Sequence, residues 1–143
     1  MTDLQVIDAA RALAAKFNIR LDARGILENM QTHGNQTTIV SCGGVTVWID
    51  RYYISFSRDD SIDVHYAYLS HSHIREELPS VMKRLKKAKT MNDYILLAGI
   101  KRQLLYALSK MNARGSNDYM FESFDETHSW EGWDDGYASA MAD

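Results

Sequence analysis

Residues 37–68, TTIVSCGGVTVWIDRYYISFSRDDSIDVHYAY, decide the fold of this chain, because apolar and polar residues alternate along most of the stretch. A hydrophobic period of two predicts strands that each bury one face. Gly43 and Gly44 separate the first two runs and predict a two-residue hairpin turn, since glycine adopts positive φ at little cost. Pairing across that turn sets Val40 opposite Val47, which collects apolar side chains on one face.

The apolar positions change parity in the middle of this stretch. In the second strand they are odd-numbered, at residues 45, 47 and 49, and from residue 52 onward they are even-numbered. A shift of one residue moves the side chains of a strand to the opposite face of the sheet. The sequence therefore predicts a turn or bulge at Asp50-Arg51, which divides the second strand from the third. The third strand is predicted to end near Arg58.

The fourth predicted strand follows a polar turn, Asp-Asp-Ser, at residues 59–61. A three-residue turn places Phe56 opposite Val64, and this register keeps one face of the strand pair apolar. We therefore expect it in preference to a two-residue turn, which would place Phe56 opposite Asp63. The expected apolar face of the fourth strand consists of Ile62, Val64, Tyr66 and Tyr68.

Helical periods of three and four residues flank the predicted sheet on both sides. Two helices are expected before it, at residues 4–17 and about 22–31, and two after it, at residues 72–85 and 91–112. Pro79 either kinks the third helix or begins a new one. The last helix is apolar nearly all round in two places, so we expect it to be buried against the apolar face of the sheet.

Consecutive strands joined by short turns form an antiparallel sheet, so the sequence predicts the α+β class. The expected order is two N-terminal helices, a four-stranded antiparallel meander, two C-terminal helices packed on the sheet, and an acidic aromatic tail. We expect residues 1–112 to form a single α+β domain and residues 113–143 to form an acidic, aromatic C-terminal segment. Residues 1–112 carry 15 Lys and Arg against 11 Asp and Glu, whereas residues 113–143 carry one against eight.

The composition of the 143 residues, 45% hydrophobic and 24% charged, is that of a globular protein and excludes whole-chain disorder. Cys42 is the single cysteine, so neither an intramolecular disulfide nor a multi-cysteine zinc site is available. Since no basic start is followed by an apolar run, we expect a cytoplasmic protein. The longest hydrophobic segment, residues 94–111, is interrupted by Lys101 and Arg102, so no membrane span is expected.

Three histidines lie within nine residues: His65, His71 and His73. Imidazole groups at such spacing can ligate a transition metal or act as a general base. The alternative is that all three are solvated polar residues, and no Glu or Asp completes the helical spacing of a zinc-protease motif. We expect no metal, no cofactor and no catalytic residue, and we keep a small enzyme that uses this cluster as the third functional hypothesis.

Six cations are expected on the exposed side of the third helix and in the linker after it: Arg75, Lys83, Arg84, Lys86, Lys87 and Lys89. Such a basic face can track phosphates or meet an acidic protein surface. It can equally be a solvated helix face, as charged runs on surface helices often are. Nucleic acid therefore remains an alternative partner.

The C-terminal segment combines aromatic with acidic residues, whereas acidic disordered tails are usually poor in aromatics. Trp and Tyr are common anchors of protein interfaces. The alternative is that the segment completes the core of its own domain. We predict that it binds a partner through Tyr119, Phe121, Phe124, Trp130, Trp133, Asp134, Asp135 and Tyr137.

The sequence thus favours a small non-enzymatic binding or regulatory protein that acts through a protein partner. Accessory and inhibitor proteins, which phages also carry, have this motif-poor and acidic-tailed character. The first alternative is a nucleic-acid-binding module whose basic helix is gated by the acidic tail. No membrane partner is expected, and the pattern is compatible with a homo-oligomer.

Overall fold

Four helices and five strands make up the part of the chain that the computed structural model describes, which is residues 2–15, 18–32 and 37–122. The α+β class predicted from the sequence is confirmed, with five strands in place of four. In chain order the elements are α1 Asp3–Ala15, α2 Ala23–Thr32, β1 Thr38–Cys42, β2 Val45–Ile49, β3 Tyr53–Arg58, β4 Val64–Ser70, α3 His71–Lys86, α4 Met91–Arg114 and β5 Asp118–Met120.

The five strands form one antiparallel sheet in the order β1-β2-β3-β4-β5, so each strand pairs with its neighbours in sequence. Val40 lies opposite Val47 as predicted, across a hairpin turn in which Gly43 and Gly44 have φ values of 61° and 77°. A side chain at either glycine would be strained in this left-handed region. The fifth strand lies at the sheet edge beside β4.

Asp50 organises the turn that separates β2 from β3, where the change of parity predicted a break. Its carboxylate accepts hydrogen bonds from the backbone N–H groups of Tyr52 and Tyr53, at 2.7 and 2.9 Å. It also accepts one from the Thr37 hydroxyl at 3.2 Å. Asp side chains commonly hold turns in this way. Since β2 ends at Ile49 and β3 begins at Tyr53, the predicted turn is confirmed.

The predicted register between β3 and β4 is wrong. Phe56 lies opposite His65 and not opposite Val64. Farther along the strand pair, a β-bulge leaves Ala67 as an extra residue of β4. As a result, Tyr66 and Tyr68, two residues apart, lie on opposite faces of the sheet. Apolar alternation did not predict the bulge, because a tyrosine stands on either side of it. Ile62, expected within the strand, precedes it and is 39% exposed.

Both faces of the sheet are buried, each by a different pair of helices. The first face carries Val47, Ile49, Ile54 and Phe56, which pack with residues of α1 and α2 into one hydrophobic core. This is the apolar face that the alternation predicted. The expectation that the last helix covers it is wrong, because the amphipathic N-terminal helices already bury it and α4 packs on the other side.

The second face carries Tyr53, Tyr66 and Leu69, which pack with α3 and α4 into a separate core. Successive residues of a strand point to opposite faces, so these positions alternate with those of the first face. Tyr119 and Phe121 complete this second core, at 4% and 3% exposure. The helix pair that follows the sheet therefore covers a face built from aromatic as well as aliphatic side chains.

Gln103 attaches α4 to the bulged strand β4. Its side-chain oxygen accepts a hydrogen bond from the backbone N–H of Tyr66, and its amide nitrogen donates to the carbonyl of Val64, each at 2.7 Å. These two main-chain groups lie beyond β5, which pairs with residues 68–70 of β4. A buried main-chain group without a partner costs on the order of 1–3 kcal/mol, so this one side chain removes two such penalties.

α4 extends past the expected domain boundary. Thr90 caps its start by accepting a hydrogen bond from a backbone N–H of the first turn at 3.1 Å, and Gly115, with a φ of 64°, ends it. The expected boundary between residues 112 and 113 falls inside this helix, and β5 at residues 118–120 pairs with β4. α3 is one helix that continues through Pro79.

Candidate interaction surface

All six cations of the predicted basic face are exposed: Arg75, Lys83, Arg84, Lys86, Lys87 and Lys89. Those in the last turn of α3 interact favourably with the negative end of the helix dipole. Among the described residues, none of the six has a carboxylate within salt-bridge distance. Their charge is therefore directed to solvent or to a partner.

The six cations do not form one stripe. At about 100° per residue, Arg75, Lys83 and Lys86 lie within about 80° of one another on α3, whereas Arg84 lies on another side. Arg75 is also about 16 Å from Lys86 along the helix axis. The structure brings together the cations at the end of the helix and in the linker, which are Lys86, Lys87 and Lys89.

Exposed apolar side chains lie at the same end of the α3–α4 helical hairpin. Met91, Tyr94 and Ile95 are 71%, 37% and 39% exposed, and Met82 is 39% exposed. Positions i, i+3 and i+4 of a helix share one face, so the three residues of α4 form one patch. We call this set the hairpin surface, which consists of Met82, Lys86, Lys87, Lys89, Met91, Tyr94 and Ile95.

The exposure of this patch contradicts the expectation that residues 94–98 lie buried at the centre of the last helix. Burial of α4 begins at Leu97. The cause is length, because the 24 residues of α4 span about 36 Å. β4 is the longest strand at seven residues and spans about 23 Å. α4 is therefore longer than any strand that it can cover, and its first turns are exposed at Met91, Tyr94 and Ile95.

Positive charge continues from the hairpin surface into the helix pair. Lys101 of α4 is 5% exposed. Its pKa is lowered, first by burial and then by the nearby charge of Lys86. Two neighbouring ammonium groups raise the local positive potential, so this end of the molecule attracts acidic groups.

Two of the predicted partner-binding residues, Tyr119 and Phe121, lie in the second core of the chain itself. Their ring centroids are 5.0 Å apart, and Tyr106 stacks on Phe121 at 6.0 Å. For these two residues, the burial agrees with the alternative expectation that the C-terminal segment completes the core of its own domain. The remaining predicted partner-binding residues lie outside the described part of the chain: Phe124, Trp130, Trp133, Asp134, Asp135 and Tyr137.

The three histidines are not brought together. His65 lies opposite Phe56, on the first face of the sheet, whereas His73 of α3 stacks on Tyr53 at 4.2 Å on the second face. His71 is the first residue of α3. Its backbone N–H donates a hydrogen bond to the carbonyl of Asn117, just before β5, at 2.8 Å. Within residues 2–15, 18–32 and 37–122, no group of three or more His, Cys, Asp or Glu residues is arranged to hold a metal ion.

The chain matches no protein-family model, no curated protein sequence and no solved structure. None of the helices in the described ranges has both the length and the hydropathy needed to cross a bilayer. The arguments for function therefore rest on the surfaces of the molecule alone.

Proposed function

We propose that this chain is a small, cytoplasmic, non-enzymatic binding or regulatory protein of the accessory or inhibitor type, which binds a protein partner through the hairpin surface. The observation that carries the proposal is the exposure of Met91, Tyr94 and Ile95 on one helix face beside cations that have no ion-pair partner among the described residues. Methionine and aromatic residues are enriched at the centres of protein interfaces, with polar groups around them.

The energetics of the hairpin surface favour an acidic partner with apolar anchors. Burying a large apolar side chain contributes on the order of 1.5–3 kcal/mol. Met91, at 71% exposure, lacks most of this contribution, and Ile95, at 39%, lacks a smaller part of it. Lys86, Lys87 and Lys89 add long-range attraction for carboxylates, which accelerates association with an acidic surface. The expected partner is therefore a protein segment that carries Asp or Glu together with aromatic or aliphatic residues.

The chain's own residues 123–143 have this chemistry, with six acids, four aromatics and no Lys or Arg. The prediction that Trp130 and Trp133 make specific contacts thus remains a proposal, in cis or with a second copy. Tryptophan emission of the full chain carrying Trp48→Phe tests it. We expect Lys86→Glu/Lys87→Glu/Lys89→Glu to shift that emission to longer wavelength. Emission typical of hydrated indole before the charge reversal would contradict contacts by the two tryptophans.

Affinity capture from an extract of the native host tests the protein-binding proposal. The full-length chain and a Met91→Asp/Ile95→Asp variant serve as baits, with Leu4→Asp as the matched control because Leu4 is 53% exposed on α1. We expect one partner to be retained by the wild type and the control but lost from the double variant. Equal capture by all three baits would contradict the hairpin surface as the binding site.

A second candidate function is nucleic-acid binding. The six exposed cations favour it, since none has a carboxylate partner within the described ranges. In this case DNA or RNA affinity should fall steeply with salt, because each neutralised phosphate releases counterions. Fluorescence anisotropy at about 50 and 200 mM salt measures the slope. Deletion of residues 123–143 should strengthen binding if the acidic segment gates the cations. A flat salt dependence would exclude this candidate.

A further inference from the structure

A small pocket of about 230 Å³ lies on the second face of the sheet, between β2–β4 and α3. Trp48, Ser55 and Tyr66 form a row across three strands, since Ser55 pairs with Trp48 on one side and with Tyr66 on the other. Directly paired side chains on one face are close neighbours. Because serine is short, the row leaves a gap between the indole and the phenol, with Ser55 at its floor.

Two further rings close the pocket. Tyr53 stands two residues before Ser55 and so shares its face. The His73 ring stacks on Tyr53 with 4.2 Å between centroids and 20° between planes, and Tyr53 meets Tyr66 edge-on at 6.3 Å. Glu77 follows His73 by one helical turn and lines the pocket with it. The walls therefore consist of three aromatic rings, an imidazole and one carboxylate.

The electrostatic character of the pocket is negative. The charge of Glu77 acts on Tyr53, Tyr66 and His73, and in each case it raises the pKa. Asp50 acts in the same direction on Tyr53 and His73. None of the described residues that line the pocket is a Lys or an Arg. Aromatic faces carry partial negative charge, so rings and carboxylates together favour a cation.

One of the lining residues, His73, contains a buried polar atom. Nε2 of His73 has no hydrogen-bond partner among the described residues and no contact with solvent. Burial lowers the pKa of His73 and so favours the neutral imidazole. A neutral imidazole adds no positive charge beside the pocket, so it does not repel a cation.

We propose that this pocket binds a protonated alkylamine, with the ammonium group among Trp48, Tyr53 and Tyr66 and opposite the Glu77 carboxylate. The rings attract the cation through their faces, and Glu77 supplies the opposite charge. An anion is disfavoured by the same carboxylates. The pocket is built from the sheet and the first turns of α3, so the proposal does not depend on binding at the hairpin surface.

A pair of nearly isosteric probes tests the proposal on the full chain. N,N-dimethylethanolamine is protonated at neutral pH, whereas 3-methyl-1-butanol has the same shape without the charge. We expect chemical shifts of the Trp48 indole N–H, assigned by comparison with Trp48→Phe, to titrate with the amine. The amine should bind about tenfold more tightly than the alcohol, which corresponds to one moderately desolvated cation–π and charge contact.

Two matched variants on one helix locate the effect. Glu77→Gln keeps the size of the side chain and removes its charge, so it should abolish most of the preference for the amine over the alcohol. Glu76→Gln makes the same change one residue away, at an exposed position that does not line the pocket, and should retain the preference. Equal affinity of the two probes, or an unchanged preference in Glu77→Gln, would overturn the proposal.

Discussion

The two faces of the sheet differ in chemistry although both are buried. The buried cluster on the first face is aliphatic apart from Phe56 and Tyr68, and it includes residues of two amphipathic helices. His65 also lies on this face. The second face also holds polar groups: the buried amide of Gln103, Ser55, and His73 with an unpartnered ring nitrogen. Each such group costs free energy unless it finds a partner, and Gln103 has its partners in β4. The proposed amine-binding pocket lies on this second face.

The largest expected effect tests whether both faces are true cores. Leu104→Ala on the second side should lower the free energy of unfolding by about 2–5 kcal/mol, and Phe56→Ala on the first side by about 3–5 kcal/mol. Each side chain is buried, at 0% and 2% exposure, and its removal leaves a cavity. Urea denaturation followed by circular dichroism measures both. A loss below about 1 kcal/mol at Leu104 would contradict a packed second core.

Gln103 provides a sharper test of the second face, because its side chain bonds two main-chain groups of β4. Gln103→Leu leaves the N–H of Tyr66 and the carbonyl of Val64 without their partner. We expect a loss of about 1–3 kcal/mol in the free energy of unfolding. Gln31→Leu, at an exposed position on α2, is the matched control and should change stability by less than about 0.5 kcal/mol. If the two variants were equally stable, the attachment would be energetically unimportant.

Tyr68, on the first face, tests how the stability of the fold depends on high pH. Burial, and then the Asp118 carboxylate, raises its pKa from 10.0 to about 12. The unfolded chain ionises first, so this contribution to stability is complete below about pH 10 and is lost as the pH rises toward 12. Tyr68→Phe should reduce the loss of stability between about pH 9 and pH 11, measured as urea midpoints. Tyr66, whose pKa burial also raises, should account for part of the loss that remains. An unchanged alkaline loss in Tyr68→Phe would refute the assignment.

The smallest expected effect is a loss of stability at mildly acidic pH, caused by His73 on the second face. Burial lowers the pKa of His73 below 6.5, although the charges of Glu77, Asp50 and Glu76 act in the opposite direction. The unfolded chain then binds the proton more readily, so stability is present above about pH 6.5 and falls as the pH drops through that value. His73→Gln should reduce the decline in urea midpoint between about pH 7.5 and pH 5.5, whereas the control His71→Gln should retain it. The same decline in both variants would assign it to other groups.

The sequence predicted most of the first face and less of the second. Alternation and the Gly43-Gly44 turn predicted the β1–β2 pairing residue by residue, and the parity change predicted the turn at Asp50. The second face escaped prediction because Tyr66 and Tyr68 look equivalent in a pattern of period two, although the bulge at Ala67 places them on opposite faces. The exposed cations were predicted from their spacing. The apolar part of the hairpin surface was not, because helix hydrophobicity alone does not tell where the sheet ends.

The sequence by itself determined the class of the fold, the order of its elements and the strand pairings next to short turns. These depend on interactions between residues close in the chain: alternation, positive φ at glycine, and caps such as Thr90. The tertiary structure decided which helices cover which face, where β4 bulges and which side chains surround the pocket. Those features depend on contacts such as that of Gln103 with Tyr66, 37 residues apart, whose free energy arises only when the helix and the bulged strand meet. Packing between distant segments is a property of the whole molecule, so no local pattern contains it.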